Sequence, residues 1–227
     1  MNKIACIDLE GVLMPELWPY LGQQTGNDAF LATTREVPDY DWLMRKRIDA
    51  LRESDLRLKD VQAIFSALSP LDGAEAFLDT LRAQDYEIQI VSDCFLELAA
   101  PILAQLGGPP AQCHRLEVDH GGFVTACAFA PRRGKEDVVR RYLNDGATVL
   151  AVGDAFNDLA MLSLATHGFL LRPSIPTRAA APHLRTVERL DDITEAMFGD
   201  DLMRHCGPHH PSRNAVTTWT APGLRVN

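Results

Sequence analysis

Asp8 and Glu10 stand two residues apart where the apolar run Ile4–Ile7 stops, in the stretch Asp8-Leu9-Glu10-Gly11. Two more apolar runs also end on polar groups: Ile88–Val91 on Ser92, and Val149–Val152 on Gly153-Asp154. If these runs are strands of one open parallel sheet, two carboxylates and a hydroxyl converge at its carboxyl edge, where such sheets take ligands. Asp8 and Asp154 brought together repel one another unless a cation lies between them. Gly11 frees the backbone to turn sharply and to approach a phosphate closely. Gly153-Asp154-Ala155-Phe156-Asn157-Asp158 supplies a second acidic loop that opens a helix. Lys135 follows Arg132-Arg133-Gly134 at a helix start, where a cation gains nothing from the helix dipole. A bound phosphate and a neighbouring Asp would account for it. Taken singly, an Asp after a strand is equally ordinary turn chemistry.

The elements that must position these groups are legible as a rhythm. Apolar runs at Ile4–Ile7, Glu87–Val91, Thr148–Val152 and Gly168–Leu171 alternate with amphipathic stretches at Ala74–Arg82, Leu96–Leu106 and Glu136–Leu143. Strands interleaved with helices at this spacing predict an α/β fold with a mostly parallel sheet covered on both faces. Leu116–Asp119 and Phe123–Ala128, joined by His120-Gly121-Gly122, read as a β-hairpin. One segment breaks the rhythm: between the first strand and Leu71 lie three helical patterns, Asp28–Thr33, Tyr40–Glu53 and Leu58–Leu68, bracketed by Pro15 and Pro70. The expected organisation is therefore a core of residues 1–14 and 71–199, an all-helical insert of 15–70, and a loosely ordered tail of 200–227. In the tail, His205-Cys206 and His209-His210 lack the spacing of a defined zinc motif.

Bulk properties narrow the partners. The chain has 227 residues, 46% of them apolar and 23% charged, as in an ordinary globular protein. A formal net charge of −9 argues against a nucleic-acid or anionic-membrane partner. Five scattered cysteines with no CxxC pair suit reduced thiols in a cytoplasmic protein, and no run reaches membrane-spanning length. The oligomeric state is open, with a homodimer among the options.

With these residues in place, the chain resembles the haloacid-dehalogenase-like phosphatases, whose four motifs appear in order as Asp8–Val12, Ile90–Asp93, Lys135 and Gly153–Asp158. The resemblance implies a Rossmann-like doubly wound core with a small helical cap inserted after the first strand. It implies that Asp8 attacks phosphorus to give an aspartyl-phosphate. Mg²⁺ would be held by the Asp8 carboxylate, the Glu10 backbone carbonyl and Asp154. Ser92 and Lys135 would bind the phosphoryl oxygens, and Glu10 would act as acid and then base. Asn157 would bind substrate or brace its loop, and Asp158 would orient Lys135 or a metal-bound water. The family more often has Asp where Glu10 stands, so the acid/base here reaches farther and is held less firmly.

The insert bears on the substrate. In Tyr40–Glu53 helical spacing sets Arg47 in the middle of an apolar face of Leu43, Met44, Ile48, Ala50 and Leu51. A buried arginine needs an anion, so Arg47 is expected to clamp a substrate carboxylate; a snorkelling or structurally paired arginine is the alternative. Glu16, just past the first motif, could meet a substrate ammonium group or be ordinary surface charge. Asp8–Glu16, Ala32–Arg47, Val91–Phe95 and Cys113–Asp119 are similar to the phosphoserine phosphatase branch, especially its bifunctional phosphoserine phosphatase/homoserine phosphotransferase type. That branch implies a phosphorylated amino acid as substrate, bound by Glu16, Arg47, Ser92, Asp93, Lys135 and Asn157. Asp93 stands where the usual phosphoserine phosphatase has Gly. The rival readings are a phosphatase of another small phosphomonoester and a non-catalytic sensor of a phosphorylated metabolite.

Overall fold

The computed structural model describes residues 2–33 and 39–205. At its centre is β1 (Lys3–Ile7), whose residues are almost all buried, as an inner parallel strand requires. It pairs in parallel with β2 (Tyr86–Phe95) on one side and β5 (Thr148–Gly153) on the other. The sheet continues outward through β3 (Ala111–Val118) and β4 (Val124–Ala128), and through β6 (His167–Leu171) and β7 (Arg185–Val187). Among the described residues its seven strands run in the order β4-β3-β2-β1-β5-β6-β7, with only the β3–β4 hairpin antiparallel.

Period-2 alternation gives the two faces of the sheet separate cores. Ala5 and Ile7 of β1 join the larger core with α4 (Ala74–Ala83), α5 (Leu96–Gln105) and α9 (Leu190–His205). Ile4 and Cys6 join the smaller one with Val138 and Val139 of α6 (Glu136–Asn144) and Met161 and Leu162 of α7 (Leu159–Leu164). A short α8 (Ile175–Ala180), capped by the Ser174 side chain, links β6 to β7.

Between β1 and α4 the described residues add helices and no strand to the sheet. These are α1 (Leu17–Thr25), α2 (Tyr40–Glu53) and α3 (Leu58–Phe65). Asp39 caps α2 by accepting a hydrogen bond from the Trp42 amide at 2.9 Å. Gly26 ends α1 in a left-handed conformation, φ 67°. Several elements differ from the sequence-based expectation: β2 and β3 are longer than the runs Glu87–Val91 and Leu116–Asp119, and α3 ends at Phe65 instead of Leu68. The helix expected over Asp28–Thr33 is only a 3₁₀ turn, Asp28–Phe30, because Asn27 caps it and the chain leaves at Leu31. The helix α1 was not expected. At the other end α9 runs on to His205, past residue 200 where the tail was placed; residues 206–227, with Cys206, His209 and His210, lie outside the described residues.

Candidate active site

The register explains how three distant segments meet. Ile7 pairs with Ile90 on one side and with Val152 on the other, so the strands end level with one another. Asp8 follows directly, its amide donating to the Val152 carbonyl at 2.9 Å. The next turn is tight: Leu13 and Met14 both donate to the Leu9 carbonyl, and Gly11 donates to the Met14 carbonyl. Gly11 takes φ +76°, and a Cβ there would lie 2.5 Å from Asp154 Oδ2. Glycine is thus required twice over, for its backbone angle and for the approach of a carboxylate. From the far side Arg172 donates to the Gly11 carbonyl at 3.1 Å.

Asp8, Asp154 and Asp158 bring carboxylate oxygens within 4.8 Å of one another. Lys135 Nζ enters this group from the start of α6, 2.6 Å from Asp158 Oδ1 and 2.9 Å from Asp8 Oδ1. Only 2% of Lys135 is exposed, and none of Asp158. Burial would lower the Lys135 pKa, but the charges of Asp8, Asp158 and Asp93 hold it above the ordinary lysine value. Asp158 is fully committed: its Oδ2 accepts the amides of Asp154 and Ala155, both at 3.0 Å, while Oδ1 holds Lys135. Gly153 leaves it room, since a Cβ there would meet Asp158 Cβ at 2.5 Å.

Asp8 and Asp154 are less committed than Asp158. Asp8 Oδ1 is buried and, despite its proximity to Lys135, makes no aligned hydrogen bond. Burial, then the charge of Asp158, raises the Asp8 pKa above the usual carboxylate value. Burial, then the charges of Asp8 and Asp158, pushes Asp154 up to about 7. Crowded carboxylates offering only oxygen donors are the donor set of a hard divalent cation. The residues present therefore fit a Mg²⁺-type ion.

Glu10 points away from this cluster, toward the cap. Its Oε1 accepts the Leu17 amide at 2.8 Å, so the first turn of α1 fixes the carboxylate. Desolvation, opposed by that hydrogen bond, pushes its pKa up to about 7. Glu16, the N-cap of α1, is exposed and close enough for its charge to act on Glu10, Arg47 and Asp154. Arg47 is 5% exposed in α2, with its guanidinium 4.7 Å over the Trp18 ring. Nη2 donates to the Ala32 carbonyl at 2.9 Å and Nη1 faces Met44 Sδ, but buried Nε has no partner among the described residues. Desolvation lowers its pKa to about 10 against the opposing charges of Tyr40, Glu10 and Glu16.

On the other side of Lys135, β2 shifts register between Val91 and Phe95. This bulge re-aims Ser92 and Asp93 at the strand end. Ser92 is buried, its Oγ accepting the Cys94 amide at 3.3 Å. Asp93 receives Asn157 Nδ2 on Oδ2 and Arg132 Nη2 on Oδ1, both at 2.7 Å, and lies 4.0 Å from Lys135 Nζ. Burial would raise the Asp93 pKa, but Lys135 and the hydrogen bonds from Arg132 and Asn157 hold it below the ordinary value. A cavity of about 400 Å³ opens here, lined by Tyr40, His114, Phe129, Arg132, Lys135 and Asn157 among others. The structure thus gathers Asp8, Ser92, Asp93, Lys135, Asp154, Asn157 and Asp158, with Glu10, Glu16 and Arg47 grouped on the cap side. Reading the sequence alone missed Arg132, His114 and Tyr40. Only the Arg132-Arg133-Gly134 approach to Lys135 hinted at the first of them.

Comparison with known proteins gives the family of the chain. A family model described as haloacid dehalogenase-like hydrolase matches residues 3–166. The phosphoserine phosphatase ThrH of Pseudomonas aeruginosa is 39% identical over 191 residues, covering 84% of this chain and 93% of that protein. A phosphoserine phosphatase of Pseudomonas syringae pv. tomato is 38% identical over 191 residues, covering 84% of this chain and 80% of its own. Among solved structures, a phospho-aspartyl intermediate analogue of phosphoserine phosphatase superposes with a TM-score of 0.70 at 20% identity, covering 86% of this chain and 98% of the other. That last likeness speaks for the fold.

Proposed function

This chain belongs to the haloacid dehalogenase-like hydrolases, and on that footing we propose that it is a Mg²⁺-dependent phosphoserine phosphatase working through an aspartyl-phosphate on Asp8. Asp8, the Glu10 backbone carbonyl and Asp154 would hold the ion. When bound, it offsets negative charge on the phosphoryl oxygens and on the two carboxylates. The rest is done by the chain's own groups. An Asp8 oxygen attacks phosphorus and the bond to the ester oxygen breaks. Lys135, fixed by Asp158, and Ser92 receive the phosphoryl oxygens. Glu10 gives its proton to the departing serine oxygen, then takes one from the water that cleaves the acyl phosphate and regenerates Asp8. A carboxylate anchored by the Leu17 amide, with its pKa raised to about 7 by desolvation, suits both halves. An amino-acid hydroxyl can replace that water; homoserine is the acceptor proposed, following the resemblance to the bifunctional type. The reduced-thiol pattern supports a cytoplasmic location for such an enzyme. Among the described residues no helix is long and apolar enough to cross a membrane.

The observation that carries the phosphoserine reading is Arg47, a buried guanidinium in the cap whose Nε has no partner among the described residues, next to Glu10 and Glu16. A carboxylate would complete it, and Glu16 would take the ammonium group of the same amino acid. Arg47→Ala is expected to raise KM for O-phospho-L-serine by about 10- to 100-fold, the value of a charge-assisted hydrogen bond. KM for p-nitrophenyl phosphate, which has no carboxylate, should change little. Equal losses on both esters would remove the clamp.

The turn after β1 gives a second test. Gly11→Ala puts a methyl against Asp154 and forces a strained φ. Mn²⁺, titrated by its electron paramagnetic resonance signal, should bind about 5- to 150-fold more weakly, given a strain of the order of 1–3 kcal/mol. Undiminished Mn²⁺ affinity would contradict the placement of the ion.

A further inference from the structure

Asp93 poses an electrostatic problem for the site just described. It is one residue from Ser92 and 4.0 Å from Lys135, the ammonium that must meet a phosphoryl dianion. An uncompensated carboxylate there would compete for Lys135 and repel the substrate. One side chain is built to prevent this. Arg132 reaches across from the segment between β4 and α6, its side chain only 8% exposed. Its Nη2 bridges two acceptors at 2.7 Å each, the Ser92 carbonyl and Asp93 Oδ1. Its Nε is buried without a partner among the described residues, so the guanidinium's hold rests on Nη2.

Lys135 also acts on Asp93 from 4.0 Å, but among the described residues Arg132, at 2.7 Å, is the charged side chain closest to it. His114 Nδ1 accepts the Ala130 amide, which leaves Nε2 as its protonated nitrogen in the neutral ring, 3.6 Å from Asp93 Oδ1. Asn157 donates to Asp93 but carries no charge. Lys135 is already shared between Asp8 and Asp158. We propose that Arg132 is a positioning residue: it neutralises Asp93 and pins the bulged end of β2, so that Lys135 and Ser92 remain available to the phosphoryl group. The inference rests on the reading of Asp8 and Lys135 as phosphoryl-transfer groups, and it holds for any phosphomonoester.

The test is a double-mutant cycle on the full chain with Mg²⁺. It reads kcat/KM for p-nitrophenyl phosphate and, independently of turnover, binding of inorganic phosphate by calorimetry. Arg132→Gln is expected to weaken both by about 100-fold, the upper range for coupled charges. Adding Asp93→Asn removes the stranded carboxylate and should recover at least about tenfold over Arg132→Gln alone. Losses that multiply, or a double variant worse than Arg132→Gln, would overturn the proposal and leave Arg132 a brace for its own loop. If Arg132→Gln does not melt cooperatively, Arg132→Lys is read instead. Retaining the charge, it should lose only about threefold in phosphate binding, whereas a loss near 100-fold would overturn the neutralising role. If the wild-type protein hydrolyses no phosphomonoester, the enzymatic reading fails by itself, and phosphate binding still decides the coupling between Arg132 and Asp93.

Discussion

Asp8→Asn is expected to abolish phosphate release from O-phospho-L-serine, by at least about 10⁴-fold in kcat, because a nucleophile works as a unit with its acid/base. Asn keeps the size and shape of Asp but offers no anionic oxygen to phosphorus. The fold should not suffer in proportion. Asp8 is buried and raised in pKa by burial and by the charge of Asp158, so removing its charge relieves one source of repulsion. Lys135 still keeps Asp158 at 2.6 Å. The variant should therefore melt within a few degrees of the wild type while being inactive. A variant with turnover within tenfold of wild type would show that Asp8 is not the nucleophile.

Lys135→Met should cost both activity and stability, and the second cost is the more telling. The ammonium sits among three carboxylates, at 2.6 Å from Asp158, 2.9 Å from Asp8 and 4.0 Å from Asp93. Met fills similar space without charge, leaving Asp8 and Asp158 buried without their counter-charge, while Asp93 keeps Arg132 and Asn157. Breaking a buried pair in this way destabilises by about 3–5 kcal/mol. Urea unfolding without divalent cation should show that loss, and added Mg²⁺ should recover part of it by binding only the folded form. Catalysis should fall by about 10²–10³-fold even in the Mg²⁺-loaded protein, as when one stabilising donor is taken from a developing oxyanion. A Lys135→Met protein as stable as wild type in the absence of metal would mean that the carboxylates are not charged as described.

The grouping of the candidate site was legible because its signals coincide. Asp8, Ser92 and Asp154 each follow an apolar run, and parallel pairing with level strand ends does the rest. Lys135 drew notice by standing at a helix start, where the dipole does not reward it. The cap was harder. The helix Leu17–Thr25 has Pro19 in its first turn, no acidic residue there, and Gly22 in its middle. Its formation depends on packing: Gly22 lets Leu31 approach so closely that a Cβ would meet Leu31 Cδ2 at 2.6 Å. Nothing local announces such a contact, and propensity yields to it. Arg132 was hidden for a related reason. It sits in a loop without periodicity, and its partners Ser92 and Asp93 are about forty residues away in the chain. Only the fold, by setting the segment after β4 against the end of β2, gives that side chain a task.

The central claim is best met by incubating the purified chain with Mg²⁺ and O-phospho-L-serine, with and without L-homoserine, and quantifying free phosphate and phosphohomoserine together. Phosphate should be released, and that release should vanish with Mg²⁺ chelation and in Asp8→Asn. With homoserine present, phosphohomoserine should form at the expense of phosphate as two acceptors compete for one phosphoenzyme. Asp8-dependent hydrolysis of p-nitrophenyl phosphate with no turnover of phosphoserine would contradict the substrate assignment.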